Sequence, residues 1–470
     1  MTTTPRTLLR TLGLVAAASI IVTNMIGQGV YLKARVMICE VATTPAMIAA
    51  WVVAGALALC GALALAELGA AIPESGGIYA FLRRAYGEAA AFAFGWMTLF
   101  IGAPAAIGAL GSGAAIFFDR LSGGALDGHA LGIAGTQWFA LALIAVVTLI
   151  NCAPAALNGG VATGFALLKI ATIVGIAAAG LLLGHREVAQ AAAAGPACTG
   201  VAAATRGGAA GFAAALIAAL YAYNGWHAVT LVAGEVRAPQ RTIPRALGIG
   251  VGLVAVLYVF ANVAFARVLG PAAIAALPAS ASVGVATVEA LFGPAWGAVS
   301  SLLLFLSAAA TLHVVVLSYA RVTHALAADG ALFAPLARLS RHGVPVRAVL
   351  ATSAIAALLV LVANFDALSD YYVFNLWVFF VAAVVALFVL RRREPALARS
   401  YRVTGYPFVP ALFVLVALWV LVQTLVASPR NSLVGLAIVA LAFPVYAWRR
   451  RRAQPWEARK ASNDSLTSET

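Results

Sequence analysis

Apolar runs long enough to cross a bilayer recur along the whole chain, separated by short polar segments rich in Arg. Twelve are evident, at residues 12–32, 45–71, 89–118, 136–152, 157–183, 211–231, 244–269, 296–327, 346–363, 368–390, 409–427 and 433–448. About 20 apolar residues span the hydrocarbon core as a helix. The pattern therefore predicts an all-α membrane protein of twelve transmembrane helices. The third and eighth runs exceed the bilayer thickness and are expected to tilt. No cleavable signal peptide is evident, and the first run reads as a retained span.

Two of the runs are interrupted. The first contains TNMIGQGVYLK at 23–33, where Gly27 and Gly29 flank Gln28, with Asn24 nearby. The sixth contains ALYAYNGWHAV at 219–229, where Asn224 and Gly225 interrupt an otherwise oily helix. Glycine in a helix interior costs about 1 kcal/mol relative to alanine. A break in hydrocarbon is tolerated only where the freed backbone is buried in protein or lines a wet cavity. A lone glycine pair in a membrane helix reads as packing. Interruptions at matching positions of two halves instead point to a transporter site. The halves are residues 12–183 and 211–390, of opposite orientation because five spans is an odd number. Helices 11 and 12, at 409–448, lie outside the repeat, and residues 453–470 form a polar tail whose last stretch is expected to be disordered.

The chemistry follows from the helix ends. The second half of span one begins near Gly29, and its free N–H groups and positive dipole end suit a carboxylate. The carbonyls of Met25, Tyr221 and Asn224 suit an ammonium. A zwitterion fits both. Met25, Ile26, Gly27, Gln28 and Gly29, with Tyr221, Ala222, Tyr223, Asn224 and Gly225, are the candidate substrate-binding residues.

Composition changes the picture little. The chain has 470 residues, 63% hydrophobic and 10% charged, with a mean hydropathy of +0.99. Soluble domains carry about a quarter charged residues. The net charge of +14 would suggest nucleic acid on a soluble protein; here Lys and Arg gather on one side of the membrane. With the N-terminus inside, 22 of the 30 fall in cytoplasmic segments and 7 outside, leaving Lys169 within a span. Both termini are thus expected in the cytoplasm. Of the four cysteines, Cys60 reads as a small core residue. Cys39 and Cys198 fall in outer loops, but spacing alone does not establish a disulfide, and none is expected. No cysteine or histidine cluster suggests a metal, and no cofactor is expected. There is no HExxH, phosphate loop or Ser–His–Asp arrangement, so an enzyme is not expected.

The motifs together resemble the amino acid–polyamine–organocation transporters, particularly their bacterial and L-type amino acid transporter branches. GQGVY at 27–31 is similar to that family's GSGIF. AELG at 66–69 with PESGGIY at 73–79, FALLK at 165–169, and YAYNGW at 221–226 with EVRAPQRTIPRA at 235–246 follow in the family's order. ARVTHALAADG at 320–330 and YRVTGYPFVP at 401–410 complete the likeness, which covers nearly the whole chain. The resemblance implies a five-plus-five inverted repeat with discontinuous helices 1 and 6, two appended helices, and alternating access. It also implies that the amides of Gln28 and Gly29 bind the substrate carboxylate, with side-chain selectivity from spans three, six, eight and ten. Gln28 departs from the family's small hydroxyl residue; its longer amide either narrows the pocket or contacts the substrate.

A cation inside a span is a functional candidate by default. Lys169 lies twelve residues into its span, too deep for easy snorkelling. The resemblance puts its amine where sodium sits in sodium-coupled relatives, against the unwound first span. Either it exchanges a proton with each cycle, as a buried amine can, or it is a fixed tether. Glu67, near the inner end of span two, reads as an inner-gate residue pairing with a loop Arg. Trp226, like Tyr223, is a candidate gate over the substrate, though aromatics at a bend are as often core. His227 and His313 read as packing residues, and Ser307 and Thr311 carry no distinct signal.

The expectation is a secondary transporter of amino acids, neutral ones favoured, coupled to protons or working by exchange, in a bacterial cytoplasmic membrane. Its partners are an amino acid, the lipid bilayer and, in the coupled version, protons; nucleic acid is not among them. A sensor or channel on the same fold is the rival, but spans four and eleven offer no polar path for a pore. Some L-type relatives join a glycoprotein through a cysteine between spans three and four. That loop, 119–135, has none here, so no covalent ancillary subunit is expected.

Overall fold

A computed structural model describes residues 12–74, 76–153, 159–185, 198–201, 206–279, 281–330, 332–340, 343–427 and 429–467. Ser75 of the PESGGIY motif, the expected start of span five at 157, most of the loop between spans five and six, and the last three tail residues lie outside them. The described chain is mostly helical.

The first run is two helices, α1 (Leu14–Met25) and α2 (Gly29–Val41), bent by 45° at the intervening residues. The second is a single helix, α3 (Thr44–Ala71), started by the Thr43 side chain accepting from the Ala46 N–H and by Pro45 in the first turn. An amphipathic helix, α4 (Ile78–Tyr86), lies in the following connection, its Arg83 paired with Glu74 and Asp329 and its Arg84 with Glu394. The third run is α5 (Glu88–Met97), a π-turn at Thr98–Gly102, and α6 (Ala103–Leu121). Pro104 supplies no N–H to the preceding turn, a local reason for the wider spiral there.

After a two-residue-stranded hairpin come α7 (Gly135–Asn151) and α8 (Gly159–Leu183). The sixth run is α9 (Gly208–Tyr223), a non-helical turn, and the four-residue α10 (Ala228–Leu231). Then follow α11 (Pro239–Val268), two short helices α12 (Gly270–Ala276) and α13 (Val283–Phe292) that the hydropathy pattern does not predict, and α14 (Pro294–Ala328). The last are α15 (Val346–Val362), α16 (Phe365–Arg393), α17 (Phe408–Ala427) and α18 (Pro429–Thr467). The backbone of α18 continues as helix into the tail, through a stretch expected to be disordered.

Among the described residues seven helices are long and apolar enough to cross a membrane, eight counting α1 and α2 as one bent span. The core forms where α3 packs along α11, α6 along α14, and α2 against α9. Such helices are apolar on all sides, as buried or lipid-facing helices must be. By contrast α17 and α18 leave most of their apolar surface uncovered; Leu415 and Val426 are largely exposed. That surface has lipid as its solvent.

One expectation is corrected. Cys39, near the end of α2, is joined to Cys198 by a disulfide, with Cα atoms 5.6 Å apart across 159 residues of sequence. Sequence spacing gave no warrant for the pairing; folding brings the loop before α9 onto the end of α2. Cys60 and Cys152 are free thiols.

Candidate functional site

The two interruptions face each other across one cavity of ≈ 70 Å³. From the first come Asn24, Met25, Gly27, Gln28 and Gly29; from the second, Tyr221, Ala222, Asn224, Gly225, His227, Ala228 and Leu231. Span three contributes Ala106 and Leu110, span eight Thr311, Val315, Ser318 and Tyr319, and span ten Tyr372. These are side chains of the spans to which the resemblance assigned selectivity without resolving residues.

The glycines divide their work. A Cβ on Gly29 would lie 2.8 Å from the Cα and Cβ of Ala222, and one on Gly225 would lie 2.8 Å from the Asn24 backbone. Each break thus presses a glycine onto the backbone of the other. Gly225 also has φ +111°, which disfavours a side chain on its own account. Gly27 is different: the nearest atom to a Cβ there is Met25 O at 3.9 Å. Packing accounts for Gly29 and Gly225, while Gly27 opens space at the cavity.

The freed backbone is partly satisfied within the protein. α1 closes with Ile26 N–H donating to Val22 O, and Gln28 O accepts from the N–H groups of Tyr31 and Leu32. The N–H groups of Gly29 and Val30, in the first turn of α2, lack an intrahelical partner, as at any helix start. The hydroxyl of Tyr258, on α11, lies 2.5 Å from Met25 O and 3.0 Å from Ala222 O, one carbonyl in each break. A hydroxyl has one proton, so it donates to only one of the two at a time. Tyr221 O accepts from Asn224 N–H.

A polar chain runs along the cavity wall. The hydroxyls of Tyr319 and Tyr372 are 2.9 Å apart, and Tyr372 donates to Asn224 Oδ1 at 2.9 Å. Three buried polar atoms of lining residues have no partner: Gln28 Oε1, Asn224 Nδ2 and His227 Nδ1. Buried polar groups are nearly always hydrogen-bonded, so three orphans at one cavity mark a place for a polar ligand.

Not every expected residue reaches the cavity. Ile26 is fully buried in packing. Tyr223 turns to α3, donating to Trp51 O and packing edge-on against the Trp51 ring. Trp226 packs against Phe380, with ring centroids 4.6 Å apart, and Phe413. Their side chains are core, and the gate expected of Trp226 has no geometry here. Lys169 stands just behind the lining. It is buried, and its Nζ donates to Thr23 O at 3.1 Å and Thr311 Oγ1 at 2.6 Å, tying the end of α1 to α14. Among the described residues it makes no ion pair.

Charge also clasps the two ends of α16. At its start, Lys33 donates to Asp366 at 2.5 Å and to Ser369 at 2.7 Å, with its ammonium 4.7 Å from the centre of the Phe365 ring. At its far end, Arg391 meets Glu67 through two bonds of 2.8 and 2.6 Å, and Val403 N–H donates to the same carboxylate. Glu67 is therefore paired with an arginine, as expected, though the main partner is on the helix rather than in the loop. Arg399, in the loop, lies 3.5 Å away.

Sequence reasoning misses Lys33, Tyr258, Tyr319, Tyr372 and His227 as parts of this site. Lys33 reads as an outer-loop charge, although its place one turn after Gly29 on a continuing helix is a signal. Tyr258 lies in mid-span, away from the interfacial belt tyrosines favour. For Tyr319 and Tyr372 no local signal exists.

Residues 12–446 match the amino acid permease family. The chain belongs to that family. The permease is 31% identical over 448 residues to the serine/threonine exchanger SteT of Bacillus subtilis (strain 168), covering 94% of this chain and 97% of the exchanger. It is 25% identical to the b(0,+)-type amino acid transporter 1 of Mus musculus, over 89% and 83% of the two chains. It is also 25% identical to the Asc-type amino acid transporter 1 of Homo sapiens, over 93% and 81%. This permease is thus a multi-pass amino acid transporter of the amino acid–polyamine–organocation superfamily, not an enzyme.

Proposed function

We propose that the permease carries neutral amino acids across the bacterial cytoplasmic membrane by alternating access, by exchange of one amino acid for another. The observation that carries this reading is the meeting of two helix interruptions at one cavity. In it, the start of α2 and the turn after α9 line the same space. The substrate carboxylate takes the amides at Gln28 and Gly29. Its ammonium takes whichever of Met25 O and Ala222 O the Tyr258 hydroxyl leaves free. Among the described residues the cavity lining holds no Asp, Glu, Lys or Arg, which favours substrates whose side chains are uncharged.

Twelve spans follow if α7, α8, α15 and the α9–α10 pair cross as well. An inverted repeat is supported by helix contacts that exchange between the halves: span three meets nine as eight meets four, three meets ten as eight meets five, and two meets ten as seven meets five. α16 is clasped to spans one and two at opposite ends, and alternating access requires the two clasps to yield in turn. Both termini lie in the cytoplasm, as the positive charge bias favours. No covalent ancillary subunit joins the loop between spans three and four.

Exchange is favoured by Lys169, whose ammonium is held by two neutral acceptors across α1 and α14 as a fixed tether, and by the exchanger among the relatives. The test is uptake of labelled alanine, serine and leucine into proteoliposomes. Saturable uptake that needs unlabelled amino acid inside, and persists without a proton or sodium gradient, is expected. Uptake into empty vesicles driven by a proton gradient overturns exchange, and the absence of flux for all amino acids overturns transport in favour of a sensor.

A further inference from the structure

We propose that the Gln28 side chain sets the upper size limit of the side chain this permease accepts, by filling the part of the cavity that a bulkier substrate would need. The inference rests on the cavity being the amino acid site.

Gln28 is the one residue of its Gly–Gln–Gly triplet with a side chain to offer. That side chain is buried, and its carboxamide crosses from the first break toward α6 and α9. Nε2 donates to Ala109 O at 2.8 Å and reaches the Tyr221 hydroxyl at 3.4 Å. Its place against α6 depends on Gly113. A Cβ on Gly113 would fall 2.3 Å from Cδ, Nε2 and Oε1 of Gln28 alike. The helix is hollow where the carboxamide lies, so the group is seated and does not swing freely into the cavity.

What remains is ≈ 70 Å³. A leucine or phenylalanine side chain needs the space that the carboxamide fills, whereas an alanine, serine or threonine side chain does not. Cutting Gln28 back to Ala or Ser removes several heavy atoms and enlarges the cavity.

The test is selectivity, read on the full chain in proteoliposomes as the ratio of leucine to alanine uptake at equal concentration. The wild type is expected to favour alanine and serine. In Gln28→Ser and Gln28→Ala the ratio is expected to rise at least about tenfold, the lower end of what one methylene is worth in a snug pocket. Gly113→Ala supplies the independent arm. Its methyl group must push the carboxamide off α6 toward the cavity, so alanine uptake is expected to fall about tenfold or more. In the Gly113→Ala, Gln28→Ser double variant the methyl group meets no carboxamide, and alanine uptake is expected to return to the Gln28→Ser level. A purely structural Gln28 would not change the size ratio, nor would its loss rescue Gly113→Ala.

An unchanged leucine-to-alanine ratio in Gln28→Ser, with alanine still carried, overturns the filter while leaving the transport reading intact. A wild type that carries no amino acid removes the transport reading itself. If Gln28→Ser binds substrate without moving it, the leucine-to-alanine ratio is read from ligand-induced thermal shifts, and an unchanged ratio again overturns the filter. If it does not fold, Gln28→Asn, one methylene shorter, is read instead against the same ratio.

Discussion

Gly27 and Gly29 stand two residues apart in one motif, yet replacing each by valine has separable consequences. At Gly27 a Cβ has open space, its nearest neighbour 3.9 Å away, and the residue lines the cavity. Valine adds three carbon groups beside a cavity of ≈ 70 Å³. Its Cβ meets no clash in the empty protein, and the added methyl groups take up the substrate's place. Forcing a ligand in beside it carries an overpacking cost of about 1–3 kcal/mol or more, on the order of 5- to 150-fold in affinity. At Gly29 the Cβ would lie 2.8 Å from the Ala222 backbone, which cannot swing aside. There the strain of about 1–3 kcal/mol falls on the folded protein itself.

Thermal unfolding of the purified protein, with and without substrate, separates the two. A ligand at a hundred times its dissociation constant stabilises the state it binds by about 2.7 kcal/mol. Gly27→Val should keep the wild-type melting temperature without ligand and lose about 1 kcal/mol or more of that gain. Gly29→Val should melt lower without ligand. A full ligand shift in Gly27→Val would refute the placement of the substrate at the first break. An apo destabilisation of Gly27→Val equal to that of Gly29→Val would refute the division of labour between the glycines.

Other outcomes follow from the same geometry. Lys169→Met keeps the bulk and removes both hydrogen bonds, so transport should fall at least tenfold while expression is retained, measured as flux per reconstituted protein. Glu67→Gln leaves Arg391 without its carboxylate; the loss should be about 3 kcal/mol, the low end for a broken buried pair because the Arg391 side chain keeps 20% exposure, visible as a lower melting temperature. Asp366→Asn weakens the clasp on Lys33, and a cysteine reporter at the start of α16 should then react faster with a membrane-impermeant thiol reagent. Alkylation of the denatured, unreduced chain should label two cysteines, Cys60 and Cys152, and all four after reduction.

The helices were legible because membrane insertion judges a segment by its own hydropathy, and the twelve apolar runs reappear as helices or broken pairs of helices. The two interruptions were legible for the same local reason: glycine beside an amide side chain weakens a helix wherever it sits. Lys169 could be singled out because depth along a span is a property of the sequence. Glu67 and its arginine could be anticipated, though not which arginine. What stayed hidden were relations between spans. Tyr258 reaches a carbonyl in each break from a distant helix, and nothing in its own segment says so. Tyr319, Tyr372 and Asn224 become a chain only when three spans converge. Tyr223 and Trp226 flank a break and still point away from it, because the rotation of that helix is set by its neighbours.

The sequence alone determined which segments leave water and where two of them cannot stay helical, since both depend on the transfer and propensity of consecutive residues. Only the tertiary structure decided that Gly29 and Gly225 exist for packing and Gly27 for space, that Lys33 clasps Asp366, and that Gln28 lies in the hollow at Gly113. Those choices depend on which surfaces meet across the fold, and a distance between residues far apart in the chain has no trace in the order of either one's neighbours.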